Sequence, residues 1–360
     1  MIVNNYADLM DNEEEVIVTV DESDETVEVE EYWITSFGID YDVDGVVRRL
    51  NKGDITFPGY QRSYVWPIKR ASRFIESLLL SLPVPGIFLY REPESHIQTV
   101  IDGQQRLESL RRFYNGKFDN KDFGLVGVRK AFEGLRYVDL TDEQSRKLDD
   151  SIMHATVIRQ DKPDDGGSSQ FEIFERLNTN ATPLSAQEIR AAIYKGAFND
   201  LLEELNEFSE WRELFGKKHR RRRDEELILR FFSLYFDSEQ YTKPMKAFLN
   251  KFMSTNRDFE LHSEPELRKL FESTISTVLR NIGLRAFKPQ NAVNAALFDA
   301  VMVGIARRLR TRPSLSCVND EYELLRNDAE FQKLISEATS DVDTVKARLQ
   351  IAIHTFANAE

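Results

Sequence analysis

The chain has 360 residues, 41% of them hydrophobic and 30% charged, which is typical of a globular protein with a substantial core. No run approaches the roughly 18 consecutive apolar residues of a membrane span. The N-terminus also lacks a basic-then-apolar signal pattern, so we expect a cytoplasmic protein with no membrane partner. The single cysteine, Cys317, excludes an internal disulfide and a zinc site built on cysteines.

The negative charge of the chain is concentrated at its N-terminus. The formal net charge is −13, and the first 31 residues hold 12 Asp or Glu and no Lys or Arg, so the remainder is close to neutral. Like charges at this density oppose compaction, and residues 1–31 are predicted to form an acidic mobile arm with an edge strand at 16–20. The arm is interpreted either as a solubilising tail or as an internal phosphate mimic that covers a basic groove.

Short helices and strands follow the arm. The spacing of apolar residues and the positions of Gly53, Pro83 and Gly116 predict helices at 43–51, around 74–82 and at 104–115. Short apolar or alternating runs predict strands at 86–90, 97–101 and 151–159. On the last of these strands, His154 is expected to lie in the core.

The second half of the chain is predominantly helical by its pattern. Two capping boxes, Ser169-x-x-Glu172 and Ser185-x-x-Glu188, predict helix starts. Beyond about residue 197 nearly every segment has a helical period, and no segment has a good strand pattern. The sequence therefore predicts an α+β fold, with an α+β domain at 32–165 and an all-helical domain at 166–360.

The most informative motif is Asp102-Gly103-Gln104-Gln105-Arg106, where a predicted strand delivers a carboxylate to the start of a helix. Backbone N–H groups at a helix N-terminus bind anions, and Arg106 in the first turn adds a bidentate donor suited to phosphate. Asp102 is a candidate for holding a metal ion or orienting a water molecule. The alternative is an ordinary strand–turn–helix in which Asp102 only caps the helix.

Two further segments carry candidate ligand residues. In the loop 57–66, Gln61 and Arg62 have no core role to explain them, and aromatic residues such as Tyr64 can stack bases. Near residue 180 a helix end meets a helix start at a polar turn, where Asn178 and Arg190 are candidates. The alternative for the loop is that its aromatic residues only anchor it to the core. The alternative for the turn is a helical hairpin whose charged residues form surface ion pairs.

A basic run at 217–223 has six formal positive charges in seven residues. Such a run can neutralise several DNA phosphates, and its candidate residues are Lys217, Lys218, Arg220, Arg221, Arg222 and Arg223. The alternative is a solvated loop whose charges the acidic arm satisfies. The sequence has no P-loop motif, no Cys/His metal cluster and no His-Asn-His type nuclease arrangement.

Taken together, several strings resemble the GmrSD-type restriction endonuclease N-terminal domain family in order and spacing. They are FPGYQRSYVW, IESLLLSLPVPGIFLY with VIDGQQRLESLRRFYNGKF, and FERLNTNATPLSAQEIRAAIY. The later string RRDEELILRFF is similar to the helical continuation of that family. The resemblance covers about residues 35 to 250.

The resemblance implies a ParB/sulfiredoxin-like α+β domain with a helical domain attached, and a role in defence against phage or modified DNA. In several members of the family this role involves nucleotide hydrolysis, so a nucleoside triphosphate and Mg²⁺ are the expected cofactors. The resemblance assigns 102–106 to the nucleotide or phosphate site, with Asp102 and Arg106 as catalytic residues and Gly103, Gln104 and Gln105 as binding residues. Gln61 and Arg62 would face this site, and Asn178 and Arg190 would close it.

Three functional hypotheses follow. The leading one is a nucleotide-binding, NTP-hydrolysing, DNA-associated module without its own HNH nuclease domain, because the C-terminal third has no such motif. The second is a non-catalytic DNA-binding or sensing subunit for a separate effector. In the third, the Asp102 site nicks DNA directly. This hypothesis is weaker, because the motif has a single carboxylate and two-metal nucleases usually need several acidic ligands. DNA, a separate nuclease or effector subunit, and a second copy of the chain are the expected partners.

Overall fold

The computed structural model describes most of the chain, in residues 18–19, 33–57, 64–92, 95–162, 168–177, 184–312, 315 and 318–359. The chain divides into two compact units. The N-terminal unit is Glu28–Ile193, and the C-terminal unit is Tyr194–Glu360 together with Met1–Val27. Apart from residues 18–19, the predicted acidic arm lies outside the described residues.

The described strands are short except for two long ones, β2 and β8. Their bounds are β1 Val18–Thr19, β2 Trp33–Asp42, β3 Ile55–Thr56, β4 Ile87–Arg91, β5 Gln98–Asp102, β6 Lys117–Phe118, β7 Lys121–Asp122, β8 Ile152–Lys162 and β9 Val293–Asn294. Five of them form the sheet of the N-terminal unit, in the order β2-β8-β4-β5-β3. The sheet is mixed, because β2/β8 and β4/β5 are antiparallel whereas β4/β8 and β3/β5 are parallel.

The α-helices of the N-terminal unit are interspersed among its strands, whereas the C-terminal unit consists mainly of consecutive helices. In the first unit they are α1 Val43–Lys52, α2 Ile68–Leu79, α3 Gln104–Tyr114, α4 Asp142–Asp149, α5 Ser168–Leu177 and α6 Ala186–Ile193. In the second they are α7 Ala197–Asn206, α8 Ser209–Phe215, α9 Arg223–Asp237, α10 Met245–Thr255, α11 Glu264–Asn281, α12 Ala295–Thr311, α13 Asn319–Asn327, α14 Ala329–Leu334 and α15 Val342–Phe356. The predicted α+β class is confirmed by this arrangement.

The sheet of the N-terminal unit has a separate apolar core on each face. On one face, residues of α1 to α4 pack against Leu89, Val100 and Val157. On the other face, α5 and α6 pack against Tyr90, Ile101 and Ile158. Neighbouring residues such as Val100 and Ile101 point to opposite faces, as the period of two in a strand requires.

This second core explains why the boundary between the units lies at 193/194 rather than at the predicted 165/166. The two helices α5 and α6 have helical sequence patterns, and these patterns suggested that they belong with the helices that follow. Their apolar side chains, including Phe171, Phe174 and Ile189, instead cover the sheet. Burial of this apolar area is the dominant favourable term in packing, so α5 and α6 belong to the N-terminal unit.

Two features of the sheet differ from the sequence-based expectation. Strand β2 was not predicted, although Phe37, Ile39 and Tyr41 alternate and pack on the first core. His154 was predicted to be buried, and this prediction is wrong. Its side chain is 69% exposed, and its Nδ1 lies 2.6 Å from Oδ1 of Asp40 on the neighbouring strand.

The C-terminal unit is built around two buried helices. The buried side chains of α9 include an unbroken run from Asp224 to Tyr235, and those of α12 run from Ala295 to Ala306. A helix that is buried on all its faces is surrounded by other elements. Strand β1 pairs in parallel with β9 in this unit, Val18 opposite Val293. In the part of the chain that the structure describes, no helix is both long and apolar enough to cross a membrane.

A charged group lies between these helices. Asp299 on α12 is fully buried, and its carboxylate accepts hydrogen bonds from Arg230 Nε at 3.1 Å and from Arg348 Nη2 at 3.0 Å. Arg230 Nη2 lies 2.5 Å from the same carboxylate, and Arg348 also donates to the carbonyl oxygen of Thr339. One carboxylate therefore links α9, α12 and α15 through two buried guanidinium groups.

Candidate functional site

The turn between β5 and α3 requires a glycine. Gly103 has φ of 101° and ψ of 6°, a left-handed conformation that residues with a side chain adopt only with strain. A Cβ at this position would overlap Cγ2 of Ile87 and lie 3.0 Å from Cβ of the same residue. Both the dihedral angles and the available space therefore explain the glycine in the motif.

Asp102 and Arg106 form an ion pair across this turn. Nη2 of Arg106 donates to Oδ2 of Asp102 at 2.9 Å, and the two side chains are 13% and 18% exposed respectively. The residue before the helix, Gly103, provides no side-chain cap for the first backbone N–H groups of α3. The carboxylate therefore holds the guanidinium group beside the helix N-terminus, where the backbone dipoles favour an anion.

One donor of this guanidinium group has no partner among the described residues. Nε of Arg106 is buried, and no described residue accepts a hydrogen bond from it. Most buried polar side-chain atoms have a partner, and a buried unsatisfied donor costs about 1–3 kcal/mol. An anion at the start of α3 is the kind of ligand that supplies the missing acceptor.

Gln105 connects the helix start to a distant segment. Its Oε1 accepts hydrogen bonds from the backbone N–H groups of Val65, at 3.0 Å, and Trp66, at 3.1 Å. Gln105 was predicted to bind the ligand, but its carboxamide oxygen holds residues 64–66 against α3. Gln104, the other predicted amide ligand, is half-buried at the first position of the helix.

Tyr64, predicted to stack a base, contributes to the same attachment. Its hydroxyl lies 2.7 Å from Oγ of Ser109 on α3, and the guanidinium group of Arg112 lies 4.1 Å from the ring centroid. The edge of Phe118 contacts the ring as well, with the centroids 5.5 Å apart. Burial raises the pKa of the Tyr64 hydroxyl. These contacts fasten the segment to α3, and one face of the ring is already occupied by Arg112.

The other four predicted ligand residues are not found beside the turn in the described part of the chain. Gln61, Arg62 and Asn178 lie outside the described residues. Arg190 on α6 is only 1% exposed, and its Nη1 donates to Oε1 of Gln187 at 3.1 Å. Its helix covers the sheet face opposite to α3. Its role in closing a site at the start of α3 stays a prediction.

Three of the six cations in the basic run of the C-terminal unit contact carboxylates of the described residues. Lys218 contacts Glu207, Arg222 contacts Glu203 and Glu225, and Arg223 contacts Glu226 at 3.7 Å. Lys217, Lys218 and Arg220 are exposed, whereas Arg221, Arg222 and Arg223 are half-buried. Burial raises the pKa of Glu225 to about 7, and Arg222 opposes this shift. The run therefore presents less unpaired positive charge than its sequence indicated.

Asp102 is the candidate metal ligand at this turn. Among the described residues, no group of three or more His, Cys, Asp and Glu side chains is arranged to hold a metal ion. Asp102 is a single carboxylate and is already paired with Arg106. Mg²⁺ is commonly held by one or two carboxylates together with substrate phosphates. Asp102 fits that arrangement only if the ligand itself supplies the remaining oxygen atoms.

Comparison of the sequence with protein families identifies the segment that contains this turn. The profile described as "GmrSD restriction endonuclease, N-terminal domain" matches residues 45–195. Residues 45–195 are therefore similar to the GmrSD N-terminal domain family. The match ends within two residues of the boundary of the N-terminal unit at Ile193. The matched segment therefore includes α5, α6 and four of the five strands of the sheet, all except β2, and it contains the complete Asp102–Arg106 turn.

Comparisons with curated proteins and with solved structures do not identify a relative of the whole chain. No curated protein is similar enough in sequence to match the chain. A solved structure described as the C2221 form of a Pnob8-like ParB-N domain is similar over 91% of this chain and 100% of that chain, at 11% sequence identity and a TM-score of 0.22. At that TM-score the similarity carries no argument.

Proposed function

We propose that the N-terminal unit binds the phosphate groups of a nucleoside triphosphate at the Asp102–Arg106 turn, as a DNA-associated module of a restriction or phage-defence system. The observation that carries this proposal is the buried Nε of Arg106, which no described residue satisfies. The family match supports the restriction role, because the profile is named for a restriction endonuclease.

Each residue of the turn has a distinct proposed role. Arg106 donates Nε and a second guanidinium N–H to phosphate oxygens, a charge-assisted arrangement with defined geometry. Gly103 allows the tight turn beside Ile87 and provides no side-chain cap, so that the first backbone N–H groups of α3 can contact the anion. Asp102 orients the guanidinium group through the 2.9 Å hydrogen bond.

Hydrolysis of the bound nucleotide is part of the proposal. Asp102 and the phosphates together would hold Mg²⁺. The ion would neutralise part of the negative charge on the transferred phosphoryl group. Direct DNA nicking at this turn is less well supported, because two-metal nucleases need several acidic ligands. A separate nuclease or effector subunit is therefore the proposed source of DNA cleavage, and DNA is the proposed partner of the chain.

Nucleotide affinity of the Arg106→Ala variant tests the site. We expect its affinity for a fluorescent nucleoside triphosphate to fall about 10- to 100-fold, because a hydrogen bond to a charged group contributes about 1.5–3 kcal/mol. The matched control is Arg111→Ala, which removes the same charge from the same helix. Arg111 is 37% exposed in its side chain and pairs with Glu108 at 2.7 Å. Equal nucleotide affinity of the two variants would show that Arg106 does not contact the nucleotide.

The same proteins separate hydrolysis from binding alone. Phosphate release from ATP, GTP, CTP and UTP is measured with magnesium, with and without duplex DNA, for the unmodified chain and for Asp102→Asn. Release that Asp102→Asn abolishes while nucleotide binding persists supports the hydrolytic role. Binding without release by the unmodified chain contradicts hydrolysis, and it favours a sensing subunit that acts through a separate effector.

A further inference from the structure

A strongly basic surface lies on the N-terminal unit, away from the 217–223 run in the sequence. It combines the first half of α2 with the loop 126–130. Five side chains on it are cationic and exposed, and we call this the α2 surface: Lys69, Arg70, Arg73, Arg129 and Lys130. No pattern in the sequence pointed to it, because its two parts are more than fifty residues apart.

Several hydrogen bonds hold the loop 126–130 along α2. The backbone N–H of Val126 donates to Oγ of Ser72 at 3.0 Å, and that of Arg129 donates to Oε1 of Glu76 at 2.8 Å. Nε of Arg73 donates to the carbonyl oxygen of Gly127 at 3.5 Å. The two basic segments are therefore fixed beside each other and form one continuous surface.

The five cations of the α2 surface have no carboxylate partner among the described residues. Four other exposed cations of the unit do pair with neighbouring acids: Arg48, Lys52, Lys117 and Arg136. Two carboxylates lie at the α2 surface, but Glu76 and Glu133 accept hydrogen bonds from backbone N–H groups of the loop. The five cations therefore outnumber these two acids, which leaves a net positive charge on the surface.

The start of α2 adds to the positive potential. Pro67 precedes the helix and provides no side-chain cap, and the first turn contains no acidic residue. The N-terminal end of a helix carries a partial positive charge of about half an elementary charge. Arg70 is held in place because its guanidinium group lies 4.4 Å from the ring centroid of Trp66. A partner with closely spaced negative charges is the natural complement of this surface.

We propose that the α2 surface docks the phosphate backbone of duplex DNA. The duplex carries one negative charge per about 1.7 Å of its axis, so several of its phosphates meet a surface with several unpaired cations. The inference rests on the DNA association proposed above, and it assigns that association to the N-terminal unit. The 217–223 run is the less suitable surface, because Lys218, Arg222 and Arg223 already contact carboxylates.

The test compares two triple variants that lose the same charge. In the first, Lys69→Gln, Arg73→Gln and Lys130→Gln neutralise the α2 surface and retain polar side chains. In the second, Lys217→Gln, Lys218→Gln and Arg220→Gln neutralise the exposed part of the basic run. Affinity for a fluorescein-labelled duplex is measured by anisotropy between about 50 and 200 mM salt, where phosphate contacts dominate the salt dependence.

We expect the first triple variant to bind DNA at least about tenfold more weakly than the unmodified chain, and the second to stay within about twofold. The slope of log affinity against log salt should be smaller by about 2–3 in the first variant, since each phosphate contact contributes about 0.9. Unchanged nucleotide affinity of the first variant would show that its fold and the Asp102–Arg106 turn are intact.

Three results would overturn the inference. Equal DNA affinity of the first triple variant and the unmodified chain would show that DNA does not bind at the α2 surface, whereas the proposed DNA association of the chain would still hold. No DNA binding by the unmodified chain at about 50 mM salt would contradict both. Tighter binding of the unmodified chain to vesicles of phosphatidylserine and phosphatidylcholine than to DNA, lost in the first variant, would assign the surface to an anionic membrane instead.

Discussion

Replacement of Asp299 by alanine is expected to destabilise the C-terminal unit by about 3–5 kcal/mol, because removal of one partner from a buried ion pair leaves the other charge uncompensated. Here two guanidinium groups lose their shared partner. Arg348 is 0% exposed and Arg230 is 4% exposed, so neither can recover hydration without a rearrangement of α9, α12 and α15.

Urea-induced unfolding, followed by far-UV circular dichroism, measures this loss. The matched control is Glu264→Ala in the same unit, which removes one carboxylate from the exposed group around Arg268. Arg268 is 32% exposed in its side chain and also contacts Glu204, so the control should lose less than about 1 kcal/mol. A loss below about 1 kcal/mol for Asp299→Ala would contradict the structural role of the buried group.

Replacement of Gly103 by alanine is expected to destabilise the N-terminal unit by about 2–6 kcal/mol and to weaken nucleotide binding. A left-handed backbone conformation costs a residue with a side chain about 1–3 kcal/mol. Overlap of the new Cβ with Ile87 adds about 1–3 kcal/mol, because the neighbouring side chain must move within a packed core.

Thermal unfolding with and without nucleotide checks both parts of this prediction. Gly38→Ala is the matched control in the same sheet, because a Cβ at Gly38 would meet no atom within 4 Å. The control should unfold within a few degrees of the unmodified chain and keep its nucleotide affinity. If Gly103→Ala matched the control in both measurements, the argument that the turn requires glycine would fail.

Local elements with clear punctuation were predictable from the sequence. Helix α3 was predicted at 104–115 and lies at Gln104–Tyr114, because Gly103 and Gly116 mark its two ends. Strands β4 and β5 lie within one residue of their predicted bounds for the same reason. Their apolar runs are short and are bounded by residues that favour turns. These elements position Asp102 and Arg106, so the core of the candidate site was accessible from the sequence.

Features that depend on distant contacts were not predictable. Gln105 reads as a ligand in its motif, but its partners are the N–H groups of Val65 and Trp66 some forty residues away. In the basic run, the pairing of Arg222 with Glu225 three residues later is visible in the sequence, but its contact with Glu203 on α7 is not. The α2 surface forms only because the loop 126–130 folds along α2.

The most direct test of the central claim is hydrogen–deuterium exchange of the unmodified chain with and without a nucleoside triphosphate. The first backbone N–H groups of α3 have no intrahelical partner, and the proposal places a phosphate against them. Slower exchange in a peptide that covers residues 103–107 is the result expected when nucleotide is present. Bound nucleotide that leaves this peptide unchanged and protects only peptides of the C-terminal unit would contradict the assignment of the site.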